Sequence, residues 1–168
     1  IPDLSGDWIL KLILTKIVNT PFIGETEQKT ISISKVKITM EEQINLKLKT
    51  TICDVKIENN PNLVQTIFPD SFVKSLPELE KEAIIEDKSG GFSFYQPKFI
   101  ELRGVKLEDP ENDILPTDPN DPRIFDQDKD GHPGLTVIIN GIISGELYLI
   151  QRMWTILKGQ VKSNKIIE

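Results

Sequence analysis

Cysteine and histidine are nearly absent from this chain of 168 residues, in which Cys53 and His132 are the sole examples. A single cysteine excludes an intramolecular disulfide framework and any multi-cysteine zinc site. A single histidine makes a histidine-rich metal site or a Ser-His-Asp triad hard to build. Cys53 lies in an alternating segment, so we expect a buried or half-buried thiol rather than a nucleophile.

Long apolar runs and an excess of basic charge are also missing. The most apolar N-terminal run, residues 8–18, is interrupted by Lys11 and Lys16, whereas a membrane-spanning helix needs about 20 apolar residues. The chain carries 20 basic against 26 acidic residues, a net charge of −6. We therefore expect no transmembrane segment and no nucleic-acid partner, because phosphate contacts need clustered Lys and Arg.

The residues that are present predict one all-β domain over 1–168. Apolar residues make up 38% of the chain, enough for a sizeable core. Their main pattern is alternation, which is typical of antiparallel strands with one solvated face. The alternating phase flips between Ile33 and Val36, and again between Ile52 and Val55, which predicts bulges or hinges.

Long strands with such flips favour a single antiparallel barrel of eight to ten strands over the alternative, a β-sandwich. Pro69 and the apolar spacing that follows it predict one short helix over 69–76. A turn is expected at 59–62, and Gly159 is expected to separate the last two strands. The predicted strands cover 6–18, 29–40, 43–58, 80–86, 92–95, 98–106, 134–140, 146–157 and 160–167.

The negative charge is concentrated in one segment, residues 107–134. Between positions 108 and 130 there are nine acidic and two basic residues, and the rest of the chain has a net charge of +1. The segment is proline-rich and has no strand pattern. A connection of this length in a compact domain is usually functional or ordered by a ligand.

Within this loop, residues 126–131 form the motif D-x-D-x-D-G. The carboxylates of Asp126, Asp128 and Asp130 can converge on one cation if the chain wraps around it, and Gly131 permits the sharp turn. His132 is expected to contribute its backbone carbonyl, with its imidazole facing solvent. Oxygen ligands at this spacing favour Ca²⁺ over Zn²⁺ or Cu²⁺.

The motif departs from a helix–loop–helix calcium site. Position twelve is Val137 rather than Glu, and no amphipathic helix flanks the loop. It resembles the shortened calcium loops of thrombospondin type 3 and dockerin-like modules. The missing ligands are expected from Asp118, Asn120 and Asp121. The alternative is a solvated acidic loop that holds no ion.

Two wider resemblances accompany the motif. The block 115–137, followed by a strand with Tyr148, Gln151 and Arg152, resembles a poorly characterised group of bacterial exported proteins and lipoproteins. That resemblance implies an extracytoplasmic location (periplasm, outer-membrane surface or secreted), with a lipid anchor upstream of this chain, and implies no enzymatic activity.

The segment Gly6-Asp7-Trp8 is similar to the G-x-W motif of lipocalins. The resemblance implies a lipocalin-like barrel in which an arginine, here Arg152 or Arg103, packs across Trp8. The alternative is that Trp8 and Trp154 are ordinary core residues.

These observations predict a calcium-stabilised, exported β-barrel binding module, monomeric, with room for a small apolar ligand. The alternative is a non-enzymatic, adhesin-like surface protein with a filled barrel, structural calcium and an envelope or host-surface partner. A calcium-dependent hydrolase ranks last, because an acid–base pair needs two carboxylates in unlike environments and the metal cage would occupy those available.

Overall fold

A computed structural model describes residues 1–20, 24–42, 44–61 and 64–168. It is 66% strand and 4% helix, which confirms the predicted all-β class. The single described helix is α1 (Asp70–Ser75). The strands are β1 (Gly6–Thr20), β2 (Gly24–Glu41), β3 (Asn45–Asn60), β4 (Val64–Ile67), β5 (Leu79–Lys88), β6 (Gly91–Arg103), β7 (Leu135–Gly141), β8 (Gly145–Leu149), β9 (Gln151–Ser163) and β10 (Ile166–Ile167).

The strands form two antiparallel sheets of unequal size. The larger has the order β1-β2-β3-β5-β6-β9-β10 and curls into a half-barrel, and the smaller has the order β4-β7-β8. The acidic segment connects the end of β6 to the start of β7, and therefore links the larger sheet to the smaller one. Within the described residues, no helix is long and apolar enough to span a bilayer.

The phase flip predicted in β3 corresponds to a bulge. Ile33 pairs with Asp54, whereas the next residue of β2, Ser34, pairs with Ile52. Cys53 is therefore the extra residue, and it changes the phase of β3, whereas β2 has no extra residue and keeps a continuous register with β1. A bulge of this kind bends the strand and increases its twist, which helps the sheet to curl. The expectation that Cys53 is buried is wrong, because its side chain is exposed at the bulge.

Two apolar clusters hold the sheets together. The first fills the buried face of the larger sheet and comprises Leu4, Val36, Ile38, Leu46, Leu48, Ala83, Ile85 and Phe94. The second lies between α1 and the smaller sheet, and comprises Phe72, Leu76, Leu135 and Val137. The helix is therefore the element that covers the smaller sheet beside the acidic loop.

Some predicted boundaries are wrong. One of them is wrong because the same alternating pattern runs through strands of two different sheets. The strand predicted over 146–157 is divided at Ile150 into β8 and β9, which belong to different sheets. Gly159, predicted as a strand end, lies inside β9. The predicted turn at 59–62 begins inside β3, and its residue 62 lies outside the described residues.

Among the described residues, Trp8 makes no cation–π contact with either predicted arginine. Its indole N–H donates to the Leu4 carbonyl at 2.8 Å, and its ring packs at the margin of the first cluster. Arg103 pairs with Glu101, and Arg152 binds carbonyls of the acidic segment. The cation–π contacts of the described residues all involve lysines. Trp154, the other core candidate, is 63% exposed.

Candidate metal centre

The D-x-D-x-D-G motif lies in a loop that is closed at its base. Asp126 and Gly134 form a parallel bridge. The Gln127 amide donates to the Gly134 carbonyl at 2.9 Å, and the Gly134 amide donates to the Phe125 carbonyl at 3.1 Å. The chain between these residues therefore has to turn back on itself within seven positions. Positive φ angles at Lys129 and Gly131 accomplish the turn.

The turn brings the three predicted carboxylates together. One oxygen from each of Asp126, Asp128 and Asp130 lies within 4.8 Å of the others. Among the described residues, this is the one group of three or more such side chains close enough to share an ion. The sequence motif thus predicted which carboxylates converge.

Backbone amides of the loop orient the two outer carboxylates. Asp126 accepts from the amides of Asp130 at 3.2 Å and Gly131 at 2.9 Å. Asp130 accepts from the His132 amide at 2.9 Å and from the Thr136 hydroxyl. These bonds lower the pKa of Asp130, mainly through the Thr136 hydroxyl, against an opposing effect of burial. Asp130 is therefore ionised at neutral pH, as a metal ligand must be.

The central carboxylate, Asp128, is different because it is buried. Its side chain is 8% exposed, and its Oδ2 accepts from the Thr136 amide at 3.0 Å. Its Oδ1 is inaccessible to solvent and has no hydrogen-bond partner. A buried charged oxygen without a partner is strongly unfavourable. The neighbouring carboxylates of Asp126 and Asp130 can only accept hydrogen bonds, so they cannot serve as partners for this oxygen. A bound cation could.

The other predicted ligands lie outside the three-carboxylate group. Among the described residues, Asp118 and Asp121 do not join it. Asp118 accepts from the Asn120 amide at 2.9 Å. Asp121 binds the Arg123 guanidinium at 2.8 Å, and these hydrogen bonds lower the pKa of Asp121 to about 2. Both acids, with Asn120, therefore order their own turns.

His132 directs its side chain away from the loop's interior. Its exposed ring stacks on Tyr148, with centroids 4.2 Å apart and planes inclined by 13°. The Tyr148 hydroxyl lies 3.3 Å from Nε2 of His132 and donates to Glu146 at 2.9 Å. This contact joins the loop to β8, and the exposed ring agrees with the expectation that the imidazole faces solvent.

Sequence reasoning missed two residues that fix the loop in place. Gln127 accepts from the Gly104 amide at 2.7 Å and donates to the Ser75 carbonyl at 3.2 Å. It therefore ties the motif to the end of β6 and to α1. Thr136, in β7, donates to two of the three carboxylates. Gln127 occupies a variable position of the motif and Thr136 lies beyond its end. The local sequence therefore gives no sign of either role.

Close backbone packing surrounds the base of the loop. A Cβ on Gly134 would lie 2.4 Å from the Leu149 carbonyl oxygen, and a Cβ on Gly104 would lie 2.7 Å from the Gly134 Cα. Both glycines also have positive φ. The loop base, the end of β6 and the end of β8 are thus in direct backbone contact.

Arg152 anchors the other end of the acidic segment. One guanidinium nitrogen donates to the carbonyls of Pro110, Glu111 and Asp113 at 2.7–3.2 Å. Lys98 also pairs with Glu111. The strandless segment is therefore held by side chains from β6 and β9.

No protein-family model, curated protein or solved structure matches the chain.

Proposed function

We propose that this protein is a calcium-stabilised, non-enzymatic β domain that acts outside the cytoplasm as an interaction module. The observation that carries the proposal is the buried, unpartnered Oδ1 of Asp128, beside the carboxylates of Asp126 and Asp130. Negative charges on carboxylates so close together repel one another unless a cation neutralises them.

The donor set favours a hard cation. All three side chains offer oxygen, and the sole histidine is engaged with Tyr148 rather than with the cluster. Carboxylate and carbonyl oxygens in an irregular loop suit Ca²⁺, which accepts six to eight ligands in flexible geometry. The His132 carbonyl and water are the proposed sources of the remaining ligands, since Asp118 and Asp121 lie outside the group.

A structural role for the ion is supported by what the loop touches. Gln127 reaches α1 and β6, Thr136 lies in β7, and His132 stacks on β8. An ion held at this point would fix the junction of the two sheets. Loop ordering and ion binding would then be coupled.

We propose an extracytoplasmic location because calcium is abundant there and scarce in the cytosol. A structural site with a Kd of about 10 μM is nearly saturated at about 1 mM external calcium and nearly empty at submicromolar cytosolic calcium. A site of that affinity would suit the exported location that the sequence resemblance implied.

An interaction module has more support than a carrier of an apolar ligand. Side chains of the first cluster already occupy the buried face of the half-barrel. That interior also contains charge, because Arg103 and Glu101 form a buried pair at 2.6 Å and Lys81 lies over the ring of Phe99. A filled and partly charged interior suits the filled-barrel alternative.

Binding can be measured directly by isothermal titration of the metal-free protein with calcium, and checked by native mass spectrometry. We expect one calcium per chain, weaker binding of magnesium, and loss of binding in Asp128→Asn. Asp87→Asn is the matched control, because Asp87 is an exposed residue of β5 outside the loop. Absence of calcium binding in the unaltered protein, or unchanged binding in Asp128→Asn, would contradict the proposal.

A further inference from the structure

The β1 strand leaves one long edge of the larger sheet open. Its 15 residues pair with β2 on one side in an unbroken register from Gly6 to Thr20. The other side has no strand neighbour within the described residues. The edges of the smaller sheet, β4 and β8, have only four and five residues. At the opposite margin of the larger sheet, β10 pairs with the 13-residue β9 only at Val161 and Ser163. Among the described strands, β1 is therefore the longest with an open side.

This edge lacks most of the usual protection against pairing. Natural edge strands are short, bulged, interrupted by proline or rich in charge. β1 has no proline and no register shift, and the charged residues along it are Asp7, Lys11 and Lys16. A long edge with an unbroken register is a template for an added strand.

Both faces of β1 expose aliphatic side chains. On one face, Ile9, Ile13 and Ile17 are 70%, 50% and 66% exposed. On the other, Leu12 and Leu14 are also exposed. A strand added at this edge would cover part of both rows of aliphatic side chains.

We propose that β1 is the interface of a homodimer, in which the β1 strands of two copies pair antiparallel around a two-fold axis at Ile13. Ile13 is the midpoint of the strand, so this register pairs all 15 residues. It sets Ile9 of one copy opposite Ile17 of the other, and Leu12 opposite Leu14. Cross-strand pairs of this type are the unit of stability in a sheet.

The same register avoids repulsion between like charges. No charged residue of one copy faces a charged residue of the other. The opposed pairs are Lys11 with Thr15, Lys16 with Leu10, and Asp7 with Asn19. Shifting the register by one residue would set Lys11 opposite Lys16. It would also pair residues from one face of β1 with residues from the opposite face of the other copy.

The size of the edge is sufficient for a dimer. A strand of 15 residues is about 50 Å long, and a strip about 10 Å deep then covers about 500 Å² on each copy. The total of about 1,000 Å² reaches the lower bound for a specific interface. The pairing also supplies about 14 backbone hydrogen bonds, since alternate pairs exchange two. The inference departs from the monomer expected from the sequence.

The test is the mass of the intact protein by sedimentation equilibrium at about 100 μM chain, which reveals micromolar association. We expect a dimer, and a monomer for Ile13→Lys, which sets two lysines face to face on the axis. Ile143→Lys is the matched control, because Ile143 is an exposed isoleucine in the β7–β8 turn. It should remain dimeric.

Cross-linking tests the register independently of folding defects. In a Cys53→Ser background, Ile13→Cys should form a disulfide-linked dimer on mild oxidation, whereas Ile9→Cys should not. Adding Ile17→Cys to Ile9→Cys should restore the cross-link.

A monomer at this concentration overturns the proposal, and so does a dimer that survives Ile13→Lys or cross-links through Ile9→Cys alone. Capture of a different strand by a monomeric protein would likewise exclude self-pairing. Asp128→Asn should not change the mass, so this inference can fail or succeed separately from the calcium proposal.

Discussion

Replacing Asp128 by Asn should stabilise the protein in chelator and destabilise it, relative to the unaltered protein, in calcium. The amide oxygen can keep the bond from the Thr136 amide, while the amide nitrogen takes the place of the unpartnered Oδ1. That nitrogen can donate to the neighbouring carboxylates of Asp126 and Asp130. The substitution thus removes one charge and one unsatisfied buried atom while keeping the side-chain shape.

In chelator, the variant should be the more stable protein. An unsatisfied buried polar atom costs about 1–3 kcal/mol, and a charged one costs more. Some of this is recovered in the metal-free protein when the loop relaxes, so we expect a gain of about 1 kcal/mol in the free energy of unfolding.

In calcium, the unaltered protein should be the more stable. At a calcium concentration about 100 times the Kd, binding to the native state adds about 2.7 kcal/mol. For a domain of this size, that corresponds to a rise in Tm of about 5–10 °C. The variant should show little of this rise, so the two proteins exchange rank.

The assay is thermal unfolding followed by circular dichroism, in chelator and in about 1 mM calcium. Asp87→Asn controls for the loss of one negative charge and should follow the unaltered protein in both conditions. Equal calcium shifts in the Asp128→Asn and unaltered proteins would refute the assignment of Asp128 as a ligand. An unaltered protein whose Tm ignores calcium would refute the site.

Three further predictions concern stability. Phe72→Ala should lower the free energy of unfolding in urea by about 3–5 kcal/mol, because Phe72 is fully buried beneath the smaller sheet, and a loss below about 1 kcal/mol would contradict that packing. Gly134→Ala should destabilise by more than about 1 kcal/mol, because its Cβ would strike the Leu149 carbonyl and its φ is positive; an unchanged urea midpoint would contradict this close approach. Burial lowers the pKa of Lys81 below its ordinary value of 10.5, so the unfolded state binds more protons, and the stability from this group rises as pH rises from the lowered pKa to 10.5. The urea stability of Lys81→Met relative to the unaltered protein should therefore be greatest at neutral pH and decline as pH rises through that window; a pH-independent difference would count against it.

The sequence by itself determined the class of structure and the core of the candidate site. Period-two alternation requires strands, and the phase change between Ile52 and Val55 requires an irregularity in β3. The spacing of Asp126, Asp128 and Asp130 before Gly131 is local, so the turn that gathers the three carboxylates is encoded within a few residues. Local geometry of this kind does not depend on the rest of the chain.

Tertiary structure decided what the loop touches and which side chains become buried. Alternation looks the same in either sheet, so the sequence could not divide β8 from β9 at Ile150. The contacts of Gln127 with Ser75, and of Thr136 with Asp128, join residues that only the packing of α1 and β7 brings together. The burial of Asp128 depends on those same neighbours, because solvent exclusion is a property of everything packed around an atom and not of its position in a motif.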